Sequence, residues 1–258
     1  MTLSVPPARR ILAVAALTVL LAACAHSGPR NPLATWVPSK NFDERRPVVI
    51  VLHYTEQDSV EQSLDTLRSR NSGGRVSSHY LLGQDGKIYQ LVSDAKRAWH
   101  AGAGRWGAIT DVNNASIGIE IDNDGKSPFP DAQIDSLIVL LRDLTTRLRI
   151  PPTQIIGHSD LAPTRKIDPG PLFPWKRLHD AGFGLWPADA TQDPPAGFDP
   201  WLALQAIGYS TDNRADTVRA FHHRFRGMEG TELDAQDLRI LHALTRAADT
   251  TPPAPASP

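Results

Sequence analysis

An unbroken run of apolar residues, Val48 to Leu52, is the feature of this sequence that most constrains the fold. The run is mostly β-branched and shows no alternation of apolar and polar residues, which is typical of a strand buried on both faces. Such a strand needs helices on both sides of its sheet, and amphipathic helical patterns do follow, the strongest in residues 131–148. This succession of strands and helices predicts an α/β fold, with a central mixed β-sheet flanked by helices, over residues 46–186.

Two of the predicted strands end at a histidine. His53 follows the apolar run directly, and His158 follows a shorter run, Ile155–Gly157. A hairpin around Asp85-Gly86 adds an antiparallel pair to the sheet. If the two histidine-bearing strands are parallel, both histidines lie on one rim of the sheet, outside the carboxyl ends of the strands, where ligand sites form.

The segment from Gly157 to Trp175 concentrates charged residues and prolines. A proline fixes its own φ and moves the preceding residue out of the helical region, so Asp168, which precedes Pro169, is held by a stiff, non-helical backbone. His158 and Asp168 could bind one metal ion or form a hydrogen-bonded pair, because their spacing is not a common zinc signature. This segment alone leaves both interpretations open.

His53 would complete a ligand set. A catalytic zinc site uses three protein ligands and keeps its fourth position for water, and His53, His158 and Asp168 would supply two imidazoles and one carboxylate. Glu120 lies in the strand pattern Ile117–Ile121, on the face away from the isoleucines. It could carry protons as a general acid/base, or it could simply face solvent.

The N-terminus is typical of an exported protein. Residues 1–23 combine two arginines with an apolar run too short to span a bilayer, which predicts a signal peptide. The run ends in Leu-Ala-Ala-Cys24, which includes the only cysteine of the chain and resembles a bacterial lipobox. A plain signal peptide with an incidental cysteine is the alternative. Acylation of Cys24 would attach the protein to a membrane, and Ala25 after it predicts the outer membrane, facing the periplasm.

The remaining segments are predicted to be accessory. They are residues 24–45 as a tether and a loop leading into the fold, 187–197 as a linker, 198–248 as a small domain of three helices, and 249–258 as a disordered tail. A formal net charge of −1 gives no argument for binding nucleic acid.

Six ordered motifs resemble the type 2 N-acetylmuramoyl-L-alanine amidases. They are His53-Tyr54-Thr55, Ser77-Ser78-His79-Tyr80, Trp99-His100-Ala101-Gly102, Ser116-Ile117-Gly118-Ile119-Glu120, Gly157-His158-Ser159-Asp160-Leu161-Ala162-Pro163 and Arg165-Lys166-Ile167-Asp168-Pro169-Gly170-Pro171. No single motif is specific, but the six in order are. With the lipobox and the C-terminal helices, the chain is similar to the outer-membrane lipoprotein branch of that family.

The resemblance implies the fold of the peptidoglycan recognition proteins. It implies hydrolysis of the amide between the lactyl group of N-acetylmuramic acid, or its anhydro form, and L-alanine of peptidoglycan, in cell-wall turnover. One Zn²⁺ per chain would be held by His53, His158 and Asp168. Glu120 would be the general acid/base, and Lys166 would stabilise the oxyanion. The residues expected to bind substrate are Tyr54, Trp99, His100 and Arg165. Residues 198–248 would bind peptidoglycan, and we expect a monomer.

Two other functions remain open at this point. A protein of the same fold could sense peptidoglycan without cutting it, although all three zinc ligands are present. A different zinc hydrolase could act on the peptide cross-bridges, and only the family resemblance argues against it.

Overall fold

A computed structural model describes residues 30–45, 47–71, 74–187 and 189–250. The predicted signal peptide (1–23), Cys24 and residues 251–258 of the predicted tail lie outside the described residues. Within the described ranges, no helix is both long enough and apolar enough to cross a membrane.

The strands form one six-stranded sheet and two short pairs. In chain order they are β1 (Thr35–Trp36), β2 (Asp43–Glu44), β3 (Val49–Tyr54), β4 (Arg70–Asn71), β5 (Gly74–Arg75), β6 (Tyr80–Leu82), β7 (Ile88–Gln90), β8 (Lys96–Arg97), β9 (Ser116–Ile121) and β10 (Ile155–Gly157). The main sheet has the order β1-β7-β6-β9-β3-β10, while β2 pairs with β8 and β4 with β5. In the main sheet β6 and β7 are antiparallel, through the hairpin predicted at Asp85-Gly86, and the other neighbours are parallel. The predicted mixed sheet is confirmed.

Helices cover both faces of this sheet. They are α1 (Val60–Arg68), α2 (Val112–Ala115), α3 (Asp131–Leu148), α4 (His158–Leu161), α5 (Trp175–Asp180), α6 (Pro200–Ile207), α7 (Arg214–Phe225) and α8 (Ala235–Thr250). The predicted helix at 131–148 is α3, and the three predicted C-terminal helices are α6, α7 and α8.

Strand β3 is buried on both faces, as its uniform apolar sequence predicts. Ile50 and Leu52 point into a core formed with α3, and Val49 and Val51 point into a second core on the opposite face. All four side chains are fully buried. Each such side chain stabilises the fold by about 1.5–3 kcal/mol relative to an exposed position, so β3 is fixed firmly between the two helical layers.

The C-terminal helices close the second face of the sheet. Their apolar residues share one core with Val49 and Ile156 of the sheet. Beneath them Arg224 of α7 forms a buried ion pair with Asp160, with 2.7 Å between Nη1 and Oδ2, and donates through Nη2 to the Ile155 carbonyl at 3.0 Å. The residues expected to form a domain beyond a linker therefore pack directly on the sheet.

Candidate metal centre and active site

The parallel pairing of β3 and β10 brings two histidines to one rim of the sheet. Gly157, the last residue of β10, is in register with the residue before His53. His53 therefore lies beside His158, the first residue of α4, with 4.4 Å between the ring centroids. Asp168 reaches the same point because its carbonyl accepts from the backbone N–H of Ser159 at 2.8 Å. The predicted placement of both histidines on one rim is confirmed.

Three ligand atoms converge at this rim. His53 Nδ1 lies 2.9 Å from His158 Nδ1 and 3.0 Å from Asp168 Oδ2, and His158 Nδ1 lies 3.1 Å from the same carboxylate oxygen. The three side chains are buried. Ligand atoms of a tetrahedral site, with metal bonds of about 2.0–2.1 Å, lie about 3.3 Å apart, which is close to the observed triangle. The arrangement of the three residues therefore favours a metal site over a simple hydrogen-bonded pair of histidine and aspartate.

The electrostatics of the site also suit metal binding, which requires neutral imidazoles and an ionised carboxylate. Burial and the neighbouring His158 lower the pKa of His53 to about 4, so this imidazole is neutral near pH 7. Burial alone would raise the pKa of Asp168, but the neighbouring His158 and His53 hold that pKa below its usual range. Asp168 therefore stays ionised.

The tautomer of His158 is set by a backbone carbonyl. His158 Nε2 lies 2.8 Å from the Ala101 carbonyl oxygen. A carbonyl can only accept, so Nε2 carries the proton and the Nδ1 lone pair faces the other two ligand atoms. Arg165 Nη2 donates to the same carbonyl at 2.6 Å and to the Ala103 carbonyl at 2.7 Å. One edge of the Arg165 guanidinium is thus used to hold the loop that orients His158.

Glu120 lies beside His53 on the neighbouring strand. In the parallel pairing of β9 with β3, Glu120 is opposite His53, so the two side chains share a face of the sheet. Burial and the Asp168 charge raise the pKa of Glu120 well above its usual range, while Lys166 acts in the opposite direction. A buried carboxyl group with a raised pKa suits acid–base catalysis. Glu120 lines a cavity and does not simply face open solvent.

A cavity of about 610 Å³ contains the converging ligand atoms and all the residues predicted for the chemistry. Its volume is in the range usual for sites that bind small molecules. The predicted residues that line it, besides the three candidate ligands and Glu120, are Tyr54, Trp99, His100, Arg165 and Lys166. The lining also contains polar residues to which the sequence assigned no role, among them Thr55, Gln57, Ser63, Thr66 and Ser77.

Asp160, a carboxylate in the same motif as His158, is not among the residues that line the cavity. It accepts from the backbone N–H of Gly157 at 2.8 Å, from the Tyr209 hydroxyl at 2.6 Å and from Arg224 at 2.7 Å. All its oxygens are thus used to fix the turn after β10 and to join this turn to the C-terminal helices. Asp160 is therefore a structural residue of the turn that carries His158.

Two groups that support the site carry no signal in the sequence. One is the Ala101 carbonyl, because the position of a backbone atom is not encoded by residue type. The other is Asn113, whose Oδ1 accepts from the backbone N–H groups of His100 at 3.1 Å and Ala101 at 2.9 Å. Asn113 thereby holds the loop against which both His53 and His158 rest.

Comparison with known proteins agrees with this geometry. A family model described as N-acetylmuramoyl-L-alanine amidase matches residues 43–171. The chain is 40% identical over 277 residues to the N-acetylmuramoyl-L-alanine amidase AmiD of Escherichia coli K12, covering 92% of this chain and 97% of the relative. It is 42% identical over 104 residues to the 1,6-anhydro-N-acetylmuramyl-L-alanine amidase AmpD of the same strain, covering 40% of this chain and 57% of the relative.

A solved structure of E. coli AmiD, in complex with the substrate anhydro-N-acetylmuramic acid-L-Ala-D-γ-Glu-L-Lys, superposes on this fold with a TM-score of 0.70. The superposition has 34% sequence identity and covers 85% of this chain and 93% of the AmiD chain.

Proposed function

Because this chain belongs to the N-acetylmuramoyl-L-alanine amidase family, whose members depend on a metal, we propose that its active-site metal is zinc, held by His53, His158 and Asp168. The protein hydrolyses the amide between the lactyl group of N-acetylmuramic acid and L-alanine in peptidoglycan. The observation that carries the proposal is that one oxygen and two nitrogens of these side chains lie within 4.8 Å of one another. Two imidazoles and one carboxylate are a ligand set that catalytic zinc commonly uses.

The neighbouring side chains supply the acid–base chemistry of the reaction. A zinc ion held by His53, His158 and Asp168 would supply Lewis-acid chemistry and would make a bound water more acidic. Glu120 takes a proton from the attacking water and delivers it to the nitrogen of L-alanine as the amide bond breaks. Lys166 lines the same cavity, and its ammonium group stabilises the negative charge that develops on the lactyl carbonyl oxygen.

The proposed substrates are muropeptides with either N-acetylmuramic acid or its 1,6-anhydro form, cut in cell-wall turnover. AmiD of E. coli binds an anhydro-muramyl peptide, and the cavity of this protein has the volume of a small-molecule site. Trp99, Tyr54 and Arg165 line this cavity and are proposed to contact the sugar and the first residues of the stem peptide.

Digestion of purified muropeptides, followed by mass spectrometry, tests this function. We expect free N-acetylmuramic acid, or its anhydro form, together with intact stem peptides that begin with L-alanine. Activity should disappear when the metal is chelated and return when Zn²⁺ is restored. Cleavage within the stem or the cross-bridge would instead support a zinc peptidase, and a zinc-loaded protein that binds muropeptides without cutting them would support a sensor.

The location of the protein in the cell is a second proposal, which rests on the sequence. A lipobox ending at Cys24 supports a lipoprotein that faces the periplasm from the outer membrane. The C-terminal helices are proposed to hold the enzyme on peptidoglycan, where a second contact raises the effective concentration of substrate. A monomer is proposed because one chain supplies the three ligands and Glu120.

Replacing Cys24 by serine should release the protein from membranes. Serine cannot receive the thioether-linked lipid, and the apolar chains that hold the protein in the bilayer would be lost. Membrane fractionation, with detergent extraction of the pellet, measures the effect. A Cys24→Ser protein that still needs detergent for its release would contradict the lipoprotein proposal, and Cys24→Ser should leave amidase activity unchanged.

A further inference from the structure

A chain of hydrogen bonds runs from His53 away from the cavity. His53 Nε2 lies 3.0 Å from His100 Nδ1, and His100 Nε2 lies 3.1 Å from Ser116 Oγ. Ser116 Oγ lies 2.6 Å from the Val112 carbonyl oxygen. One continuous path therefore joins the ring of the metal ligand to the backbone.

The far end of this path fixes the position of each proton in it. The Val112 carbonyl can only accept, so the Ser116 hydroxyl uses its one proton there. Ser116 Oγ must then accept from His100, which places a proton on His100 Nε2. A neutral ring with its proton on Nε2 has a lone pair on Nδ1. His53 therefore donates through Nε2, and the Nδ1 lone pair of His53 is free for the metal.

The ring of His100 is held in place by its neighbours. On β9 it lies against Gly118, where a Cβ atom would overlap the ring. It also meets His79 edge-on, with 5.7 Å between the ring centroids. His79 is itself fixed, because its Nδ1 accepts from the Gly118 N–H at 3.0 Å and its Nε2 donates to the Lys96 carbonyl at 2.9 Å. His100 thus has little freedom to turn away from His53.

The same segment orients the second histidine ligand. The Ala101 carbonyl, one residue after His100, accepts from His158 Nε2 at 2.8 Å. Asn113 binds the backbone N–H groups of both His100 and Ala101. Two consecutive residues thereby provide one acceptor for each ligand imidazole.

We infer that His100 is a positioning residue that holds His53 in its metal-binding tautomer and orientation. The inference rests on the proposed zinc site. It assigns His100 a different role from the expectation, drawn from the family resemblance, that this residue binds substrate. Groups that hydrogen-bond a metal-ligating histidine are worth about 10–100-fold in metal affinity or activity.

The test compares three variants of His100 and its partner. His100→Leu removes the acceptor and keeps the apolar volume, whereas His100→Asn keeps an oxygen near the position of Nδ1. Ser116→Ala removes the group that fixes the proton on His100 Nε2. Zinc affinity is measured by competition with a chelator. The values of kcat and KM are measured on a muropeptide, and folding is checked by thermal unfolding of the metal-free proteins.

We expect His100→Leu to weaken zinc binding by about 10–100-fold and to lower kcat with little change in KM. His100→Asn should recover most of the zinc affinity, and Ser116→Ala should show a smaller loss in the same direction. Trp99→Leu, at a neighbouring residue of the cavity wall, serves as the contrast: it should raise KM and leave zinc affinity unchanged.

A folded His100→Leu protein with wild-type zinc affinity and a raised KM would overturn the inference and make His100 a substrate-binding residue. If His100→Leu does not fold, Ser116→Ala decides, and wild-type zinc affinity in that variant overturns the inference. Failure of the proposed function would look different, because the wild-type protein itself would then bind no zinc or would leave muropeptides uncut.

Discussion

Replacing His158 by alanine should remove the metal and the amidase activity together. His158 supplies one of three converging ligand atoms, and a catalytic site with two protein ligands holds zinc poorly. Loss of the ion removes several kcal/mol of transition-state stabilisation. Since about 1.36 kcal/mol corresponds to a tenfold change in rate, we expect turnover to fall by about 10³-fold or more. Metal content and turnover are measured on the same purified sample.

Asp168→Asn is the matched variant for this experiment, because it keeps the shape of the side chain and removes the anionic ligand. It should lose metal and activity in parallel with His158→Ala. Thermal unfolding of the metal-free proteins separates loss of a ligand from loss of the fold. A His158→Ala protein that is still fully loaded with zinc would show that the ion is held elsewhere and would refute the proposed ligand set.

Replacing Glu120 by glutamine should stop the reaction and leave the metal in place. Glutamine keeps the size of the side chain and removes the titrating group, and Glu120 is not one of the converging ligands. We expect near-stoichiometric zinc, a folded protein and a turnover lower by about 10²–10⁴-fold, the usual worth of a general acid/base. Glu61→Gln, on the exposed side of α1, controls for a change of net charge and should keep wild-type turnover.

Two outcomes would contradict this assignment of Glu120. A metal-free Glu120→Gln protein would mean that the carboxylate binds the ion or holds one of its ligands. A zinc-loaded and fully active protein would place the proton carrier elsewhere. Tyr54 would then be the next residue to test, because it lines the cavity, whereas the carboxylate of Asp160 is already used by Tyr209 and Arg224. Burial, together with Asp168 and Glu56, raises the pKa of Tyr54 to about 12, so its hydroxyl is protonated.

Much of the fold could be predicted from local patterns. The apolar run in β3 predicted that this strand is buried on both faces, because a strand with no polar face must be covered on each side of the sheet. The Asp85-Gly86 turn predicted the antiparallel pair β6–β7, since such turns fit the twist of a hairpin. The sequence did not predict the edge strand β1 or the short pairs β2–β8 and β4–β5. Strands of two residues are too short to show a period.

The candidate ligands could also be predicted, because each lies at a recognisable position in the sequence. His53 and His158 stand at the ends of apolar runs, and Asp168 precedes a proline. If the two strands pair in parallel, both histidines must lie at the same rim of the sheet. The spacing of His158 and Asp168 alone could not separate a metal site from a hydrogen-bonded pair; the positions of three side-chain atoms favour the metal.

By itself, then, the sequence determined the class of fold, the rim on which the site lies and the residues that are proposed to carry its chemistry. Only the tertiary structure decided that the C-terminal helices cover the sheet and that Arg224 reaches Asp160. Only the tertiary structure placed His100 within hydrogen-bond distance of His53, and the Ala101 carbonyl within hydrogen-bond distance of His158. Local periodicity reports how each segment is buried, but it does not report which distant segments meet. Such contacts depend on the register of strands and the packing of side chains between segments far apart in the chain.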